Sequence, residues 1–294
     1  MRNKNKKWRS ILVIGIITFF LIVVDDQNSF SKFFYGIQNR LTLGKSAPTP
    51  SSTRYKILYD FNTSLYSLQI SQMKEFNIRP YEYTKEMARQ YAKKFHMDAS
   101  SLQEKEDYYF LENKEAELLI YKKTGLLQYK KKDIKNIDIL QDTLLSKNEI
   151  LKKAIWFIKD KDLPFTYAKA LIQHDPDTRQ YYIWFINTIE GFYNYSSMPK
   201  VITDEQGNII QLNDYQVQYV SNGNSPIKTI EEAYKEMKDL YSYSEVEGLQ
   251  VDIQNVELVY IESEAASKKV QPAYRFSGET NQETSFEQFI PAFY

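Results

Sequence analysis

Three stretches of this 294-residue chain share one grammar: a helix with a start signal, then strand-like runs joined by tight turns. The spacing of Met87, Ala88, Tyr91 and Phe95 predicts a helix over about 84–96, opened by Thr84. Strand-like runs follow at 116–122 and 126–131, hinged at Thr124-Gly125. Ser146 with Glu149 three residues on is a capping box, and the helix after it offers Ile150, Leu151, Ala154, Ile155 and Ile158 to a core. Runs at 181–189, 200–203 and 208–212 come next, with a turn at Asp204-Glu205-Gln206-Gly207. Thr229 with Glu232 is a second capping box, on a helix striped by Ile230, Ala233, Met237 and Leu240. Strands at 256–261, 273–276 and 286–291 close the chain. Helices alternating with directly joined hairpins predict an α+β architecture, with helices packed on antiparallel sheets.

The first 24 residues obey a different rule. Arg2, Lys4, Lys6, Lys7 and Arg9 precede Ile11, with no acid among them, and Ile11 to Val24 carries no charge. As a helix that run would rise about 21 Å, short of the roughly 30 Å hydrocarbon core. An uncleaved signal anchor, lengthened by Trp8 and Ser10, is the favoured reading, because no small-x-small cleavage site follows. A cleaved signal peptide and a buried core helix are the alternatives. The basic start keeps the N-terminus cytoplasmic and places residues 25–294 outside. Within the run, Gly15 and Thr18 are the small residues and lie three apart on one helical face, with Phe19 and Ile22 flanking them. That face is the expected partner-binding face of the anchor, since helix pairing in lipid relies on close packing. The bland alternative is that membrane helices simply tolerate glycine. Residues 25–53 form a connector in which Phe30, Phe33, Phe34 and Tyr35 either lie at the membrane interface or pack on the ectodomain.

Composition removes several classes of chemistry. Lys+Arg and Asp+Glu both number 38, so no basic excess favours nucleic acid. There is no cysteine, which excludes disulfides, thiolate metal sites and a cysteine nucleophile. Nine glycines leave little material for a phosphate-binding loop, and twenty-four tyrosines favour strands. His96 and His174 are the two imidazoles, and neither has a histidine at metal-ligand spacing. Asp175 and Asp177 read as turn formers around Pro176, since the glycine and final Glu of a calcium loop are missing. Ser29/Lys32 and Ser225/Lys228 match Ser-x-x-Lys without its supporting motifs. No catalytic residue, metal or cofactor is expected, and the chain reads as a non-enzyme.

The run Tyr181 to Ile186 is apolar on both faces of a strand: Tyr181, Ile183 and Phe185 on one, Tyr182, Trp184 and Ile186 on the other. It therefore needs two covers. The second cover is either another part of the chain or a partner protein.

The C-terminal half reads YYIWFINTIEGFYNYSSMPKVITDEQGNIIQLNDYQVQYV, then PIKTIEEAYKEM, then VELVYIESEAASKKVQPAYRFSG, and ends FEQFIPAFY. These segments resemble the extracytoplasmic accessory proteins YycH and YycI of Gram-positive bacteria, and YycI more. The resemblance is good over 180–294 and loose over 54–180. It implies a single-pass membrane regulator whose partners are a YycH-like protein and a YycG/WalK-like sensor kinase that controls cell-wall metabolism. It also implies ectodomain units of helix plus antiparallel hairpin, similar to PepSY domains, which leaves a protease-inhibitory or wall-ligand-binding role as the alternative. The expected organisation is anchor 1–24, connector 25–53, an N-terminal α+β unit 54–145 and a C-terminal YycI-like region 146–294.

Overall fold

The computed structural model describes residues 55–61, 70–132, 145–263 and 268–294. The anchor run, the connector, Ser29/Lys32 and the expected partner-binding residues Gly15, Thr18, Phe19 and Ile22 lie outside them. Among the described residues no helix is long and apolar enough to cross a membrane.

The chain opens with β1 (Tyr55–Lys56), β2 (Leu58–Phe61) and β3 (Gln72–Pro80), then α1 (Lys85–Lys94). A short 3-10 turn leads to β4 (Gln103–Glu104), β5 (Tyr108–Glu112), β6 (Ala116–Tyr121) and β7 (Leu126–Lys131). After α2 (Lys147–Asp160) come β8 (Lys169–Asp175), β9 (Gln180–Ile189), β10 (Phe192–Asn194), β11 (Lys200–Asp204), β12 (Ile209–Tyr215) and β13 (Val217–Pro226). Last are α3 (Ile230–Leu240), β14 (Tyr243–Ser244), β15 (Gln250–Glu262), β16 (Lys269–Thr280) and β17 (Ser285–Pro291).

The expected α+β class is wrong. Among the described residues strand makes up 51% against three α-helices, and all strands but β1 and β14, which pair apart with each other, belong to one large mixed sheet rather than to separate PepSY-like helix-and-hairpin units. The sheet runs β13-β3-β16-β15-β10-β9-β11-β12-β7-β6-β5-β4, with β17, β2 and β8 attached at its sides. The physical reason is pairing between distant segments. β7 takes β12 as its neighbour, from Gln211↔Lys130 to Tyr215↔Leu126. β3 takes β13, and β15 pairs in parallel with β2 and with β10. Strands from 54–145 and from 146–294 thus interleave, and the helices serve as covers on a continuous sheet.

Local start signals nevertheless act as the sequence indicates. Thr84 caps α1, with its side chain accepting from Met87 N. Ser146 and Thr229 both complete their capping boxes, each with the glutamate three residues on. Such a cap satisfies donors that the first helical turn leaves free, and is worth about 1 kcal/mol.

Burial divides into two main cores and a third between them. One lies under α3, where Ala233 and Met237 meet Val251, Ile253, Tyr274 and Phe276. Another lies under α1 and α2, where Ala88, Ile150 and Ala154 meet Leu118, Ile183 and Leu212. The third covers the far face of β9: Trp184 and Ile186 pack against Tyr195, Met198, Val259, Ala273 and Phe289. The two-faced strand therefore finds its second cover within the chain. Ile183, Trp184, Phe185 and Ile186 are all buried.

The two main cores meet where β3 turns into α1 and β12 turns into β13. Tyr81 N donates to Gln216 O at 2.9 Å, and Gln216 N donates to Gly125 O at 2.8 Å. Gly125 has φ +69°, and a Cβ there would fall 2.1 Å from the Gln216 carbonyl oxygen. Only glycine suits that crossing.

Candidate functional site

The residues that could have carried chemistry resolve into structural roles. His96 sits just past α1 with φ +57°, and its N–H closes on Lys93 O at 3.0 Å. His174 Nε2 lies 3.0 Å from Glu205 Oε1, and its ring rests on Tyr181 at 4.5 Å. Arg179 grips the other oxygen of Glu205 at 2.7 Å, so the cluster ties the β8–β9 hairpin to the turn after β11. Asp175 Oδ1 accepts from Asp177 N at 3.0 Å, the turn-forming role its sequence suggests. Lys228 Nζ goes to Glu236 Oε2 at 2.7 Å and Pro291 O at 3.2 Å, and Ser225 is an exposed residue of β13. Among the described residues no group of three or more His, Asp or Glu side chains could hold a metal ion.

One buried acid has no such role. Asp214 on β12 is 0% exposed; Oδ2 accepts from Gln216 Nε2 at 2.7 Å, while Oδ1 has no hydrogen-bond partner. Burial pushes its carboxyl up to about 6, and the Gln216 hydrogen bond opposes this only in part. It sits beside the crossing of the two cores. Its charge also contributes to raising Tyr83 and Tyr91, for both of which burial is the larger cause.

The surface feature that stands out is on α2. Ile150, Ala154 and Ile158 form the buried stripe, and Leu151, Ile155 and Phe157 pack at its margins. Trp156 lies about 200° round the helix from Ala154 and faces solvent, 78% exposed. With Lys152, Lys153, Phe157 and Asp160 it lines a shallow groove of about 470 Å³. The floor is firm: Phe157 packs on Tyr129 at 5.7 Å and Phe95 at 6.2 Å. Lys153 reaches Gln206 O at 2.8 Å, and Asp160 is paired with Lys161 at 2.8 Å. An indole held in water by a rigid helix, between lysines, has the chemistry of an interface anchor: large apolar area, one N–H donor and little side-chain entropy to lose.

The sequence holds the signal for Trp156, because a tryptophan opposite an apolar stripe has nowhere in the core to go. It holds no signal for Asp214, whose Asn-Asp-Tyr setting reads as a turn rather than as the buried end of a strand.

No protein-family model matches the sequence, and no curated protein matches it. Among solved structures, that of an uncharacterized protein from Eubacterium rectale is similar at 13% identity and a TM-score of 0.44, covering 76% of this chain and 84% of that one. A likeness at that level carries no argument about function.

Proposed function

We propose that the protein is a membrane-tethered extracytoplasmic accessory protein that binds, rather than catalyses, and modulates a sensor histidine kinase controlling cell-wall metabolism together with a YycH-like partner. The observation that carries the reading is Trp156, exposed on the outer face of α2 between Lys152 and Lys153. Such a residue contributes nothing to the core and is suited to a protein contact. The uncharged run Ile11–Val24 supports the tether and the basic start supports its orientation. The closing segments of the stretch that resembles YycI form one continuous piece of sheet: VELVY on β15 faces QPAYRF on β16 from Val256↔Phe276 to Tyr260↔Pro272, and β17 continues it with Ala273↔Pro291.

The mechanism is a bias between two signalling states of the kinase, set by a difference in contact free energy with each. A single desolvated tryptophan contributes about 2 kcal/mol or more to an interface, enough to change the partner's dissociation constant roughly thirtyfold. The test is co-purification from membranes with the tagged full chain. A sensor kinase and a YycH-like protein should be enriched, and Trp156→Ala should lower their recovery at equal membrane abundance. Recovery of neither partner, or equal recovery with the variant, overturns the reading.

A further inference from the structure

A second surface lies on the other core, at the point where the described chain begins. β1 pairs with β14, Tyr55↔Ser244 and Lys56↔Tyr243, and Ile57 N donates to Ser242 O. This short ribbon with the turn after it, the start of β2 and the end of α3 carry four exposed apolar side chains: Leu58 at 53%, Tyr243 at 57%, Leu240 and Val246. Leu58 also forms one wall of a shallow groove of about 320 Å³ between β2, β15 and β16.

The rim is acidic. Asp239, Glu245 and Glu247 are exposed around Leu240, Tyr243 and Val246. Asp60, Asp252 and Glu279 line the groove beside Leu58. The nearby bases are Lys56, opposite Tyr243, Lys235, one helical turn before Asp239, and Lys238, whose ammonium stands over the Tyr234 ring at 4.5 Å. Four apolar side chains left in water inside a negative field call for a cover that is apolar and basic.

The chain carries such a segment immediately ahead. Residues 27–54 contain Lys32, Arg40, Lys45 and Arg54 and no acid, and Phe30, Phe33, Phe34 and Tyr35 are clustered within six positions. Tyr35 and Tyr55 are twenty positions apart in sequence, and a random-coil span of that length is about 25 Å root-mean-square. Tyr55 already lies in the β1–β14 ribbon, so this cover is presented at an effective concentration of about millimolar. An anionic lipid surface would be repelled by the rim, and a second copy would bring the same negative charge.

We infer that Phe30–Tyr35 of the connector docks on the surface formed by Leu58, Leu240, Tyr243 and Val246, with Lys32 and its basic neighbours facing Asp239, Glu245 and Glu247. The docked connector shortens the reach between the apolar run and the ectodomain. It thereby couples any movement of the N-terminal segment to α3 and its core.

The experiment is zero-length carbodiimide coupling of the full chain in nonionic detergent, followed by peptide mapping. Intrachain links from Lys32 or Lys45 to Asp239, Glu245 or Glu247 are expected. Loss of two buried phenyl rings in Phe33→Ser/Phe34→Ser should cut their yield at least about fivefold. Glu245→Lys/Glu247→Lys, which leaves the core untouched, should remove docking as read by faster amide exchange over 239–247. Links found only between two chains would assign the surface to a second copy. Protection that appears only with phosphatidylglycerol in the micelle would assign it to lipid. Either result, or unchanged yield and exchange in both variants, overturns the docking.

Discussion

Asp214→Asn should stabilise the protein at neutral pH and do little at low pH. The parent carboxyl is fully buried, and burial raises it from the usual 3.8 to about 6. A group whose folded value is raised favours the fold while it is protonated. That contribution is complete below about 3.8 and is lost as pH rises through 6. The difference of roughly two units corresponds to about 3 kcal/mol, an order-of-magnitude figure, carried as a penalty above pH 7. Asparagine is the neutral isostere. It keeps an acceptor for Gln216 Nε2 and places an N–H donor where the protonated acid holds its proton. The assay is urea unfolding of the parent and variant full chains in the same nonionic detergent at pH 4, 5.5 and 7.5. Other titrating groups cancel in the difference between the two proteins. The variant should gain up to about 3 kcal/mol at pH 7.5, less at 5.5, and no more than about 0.5 kcal/mol at pH 4. A difference independent of pH, or a less stable variant at pH 7.5, would refute the assignment of Asp214 as a buried, destabilising carboxylate.

Other perturbations test other parts of the fold. Gly125→Ala forces a Cβ against the Gln216 carbonyl at positive φ and should cost more than about 1 kcal/mol in chemical denaturation, with faster amide exchange at Tyr81 and Gln216. Ser146→Ala removes one capping box, in which Ser146 Oγ accepts from Glu149 N, and should cost about 1 kcal/mol, read as a lower midpoint. Ile150→Ala opens a cavity under α2 at a fully buried position and should cost about 2–5 kcal/mol. Trp156→Ala should change stability by no more than about 0.5 kcal/mol, because its side chain is in solvent; a large loss would show that it packs.

What the sequence disclosed was local. Thr84, Ser146 and Thr229 announce their helices because a cap is made by residues three apart, and β6–β7 and β11–β12 announce themselves through alternation and tight turns. The strands that change the fold class had no such pattern. On β3 the buried residues are Met73 and Phe76, three apart, among Lys74, Glu75 and Arg79, so a period of two is absent. β13 is an edge strand whose second half, Ser221 to Ser225, is Ser-Asn-Gly-Asn-Ser with a register shift between Ser221 and Asn224, and that half reads as a loop. The parallel contacts of β15 with β2 and β10 join residues that are far apart in the chain, and no local periodicity encodes them. The candidate surface was half legible: the α2 stripe pointed inward as its spacing implies, and Trp156 opposite it went unassigned.

In the proposed function the outer face of α2 meets a membrane signalling partner. A photo-reactive side chain in place of Trp156, in the full chain expressed in its own membrane, tests this most directly. Lys105, exposed between β4 and β5, serves as the control position. Illumination should join residue 156, and not residue 105, to the extracytoplasmic part of a sensor kinase or a YycH-like protein. No adduct at 156, or equal adducts from both positions, would contradict the account.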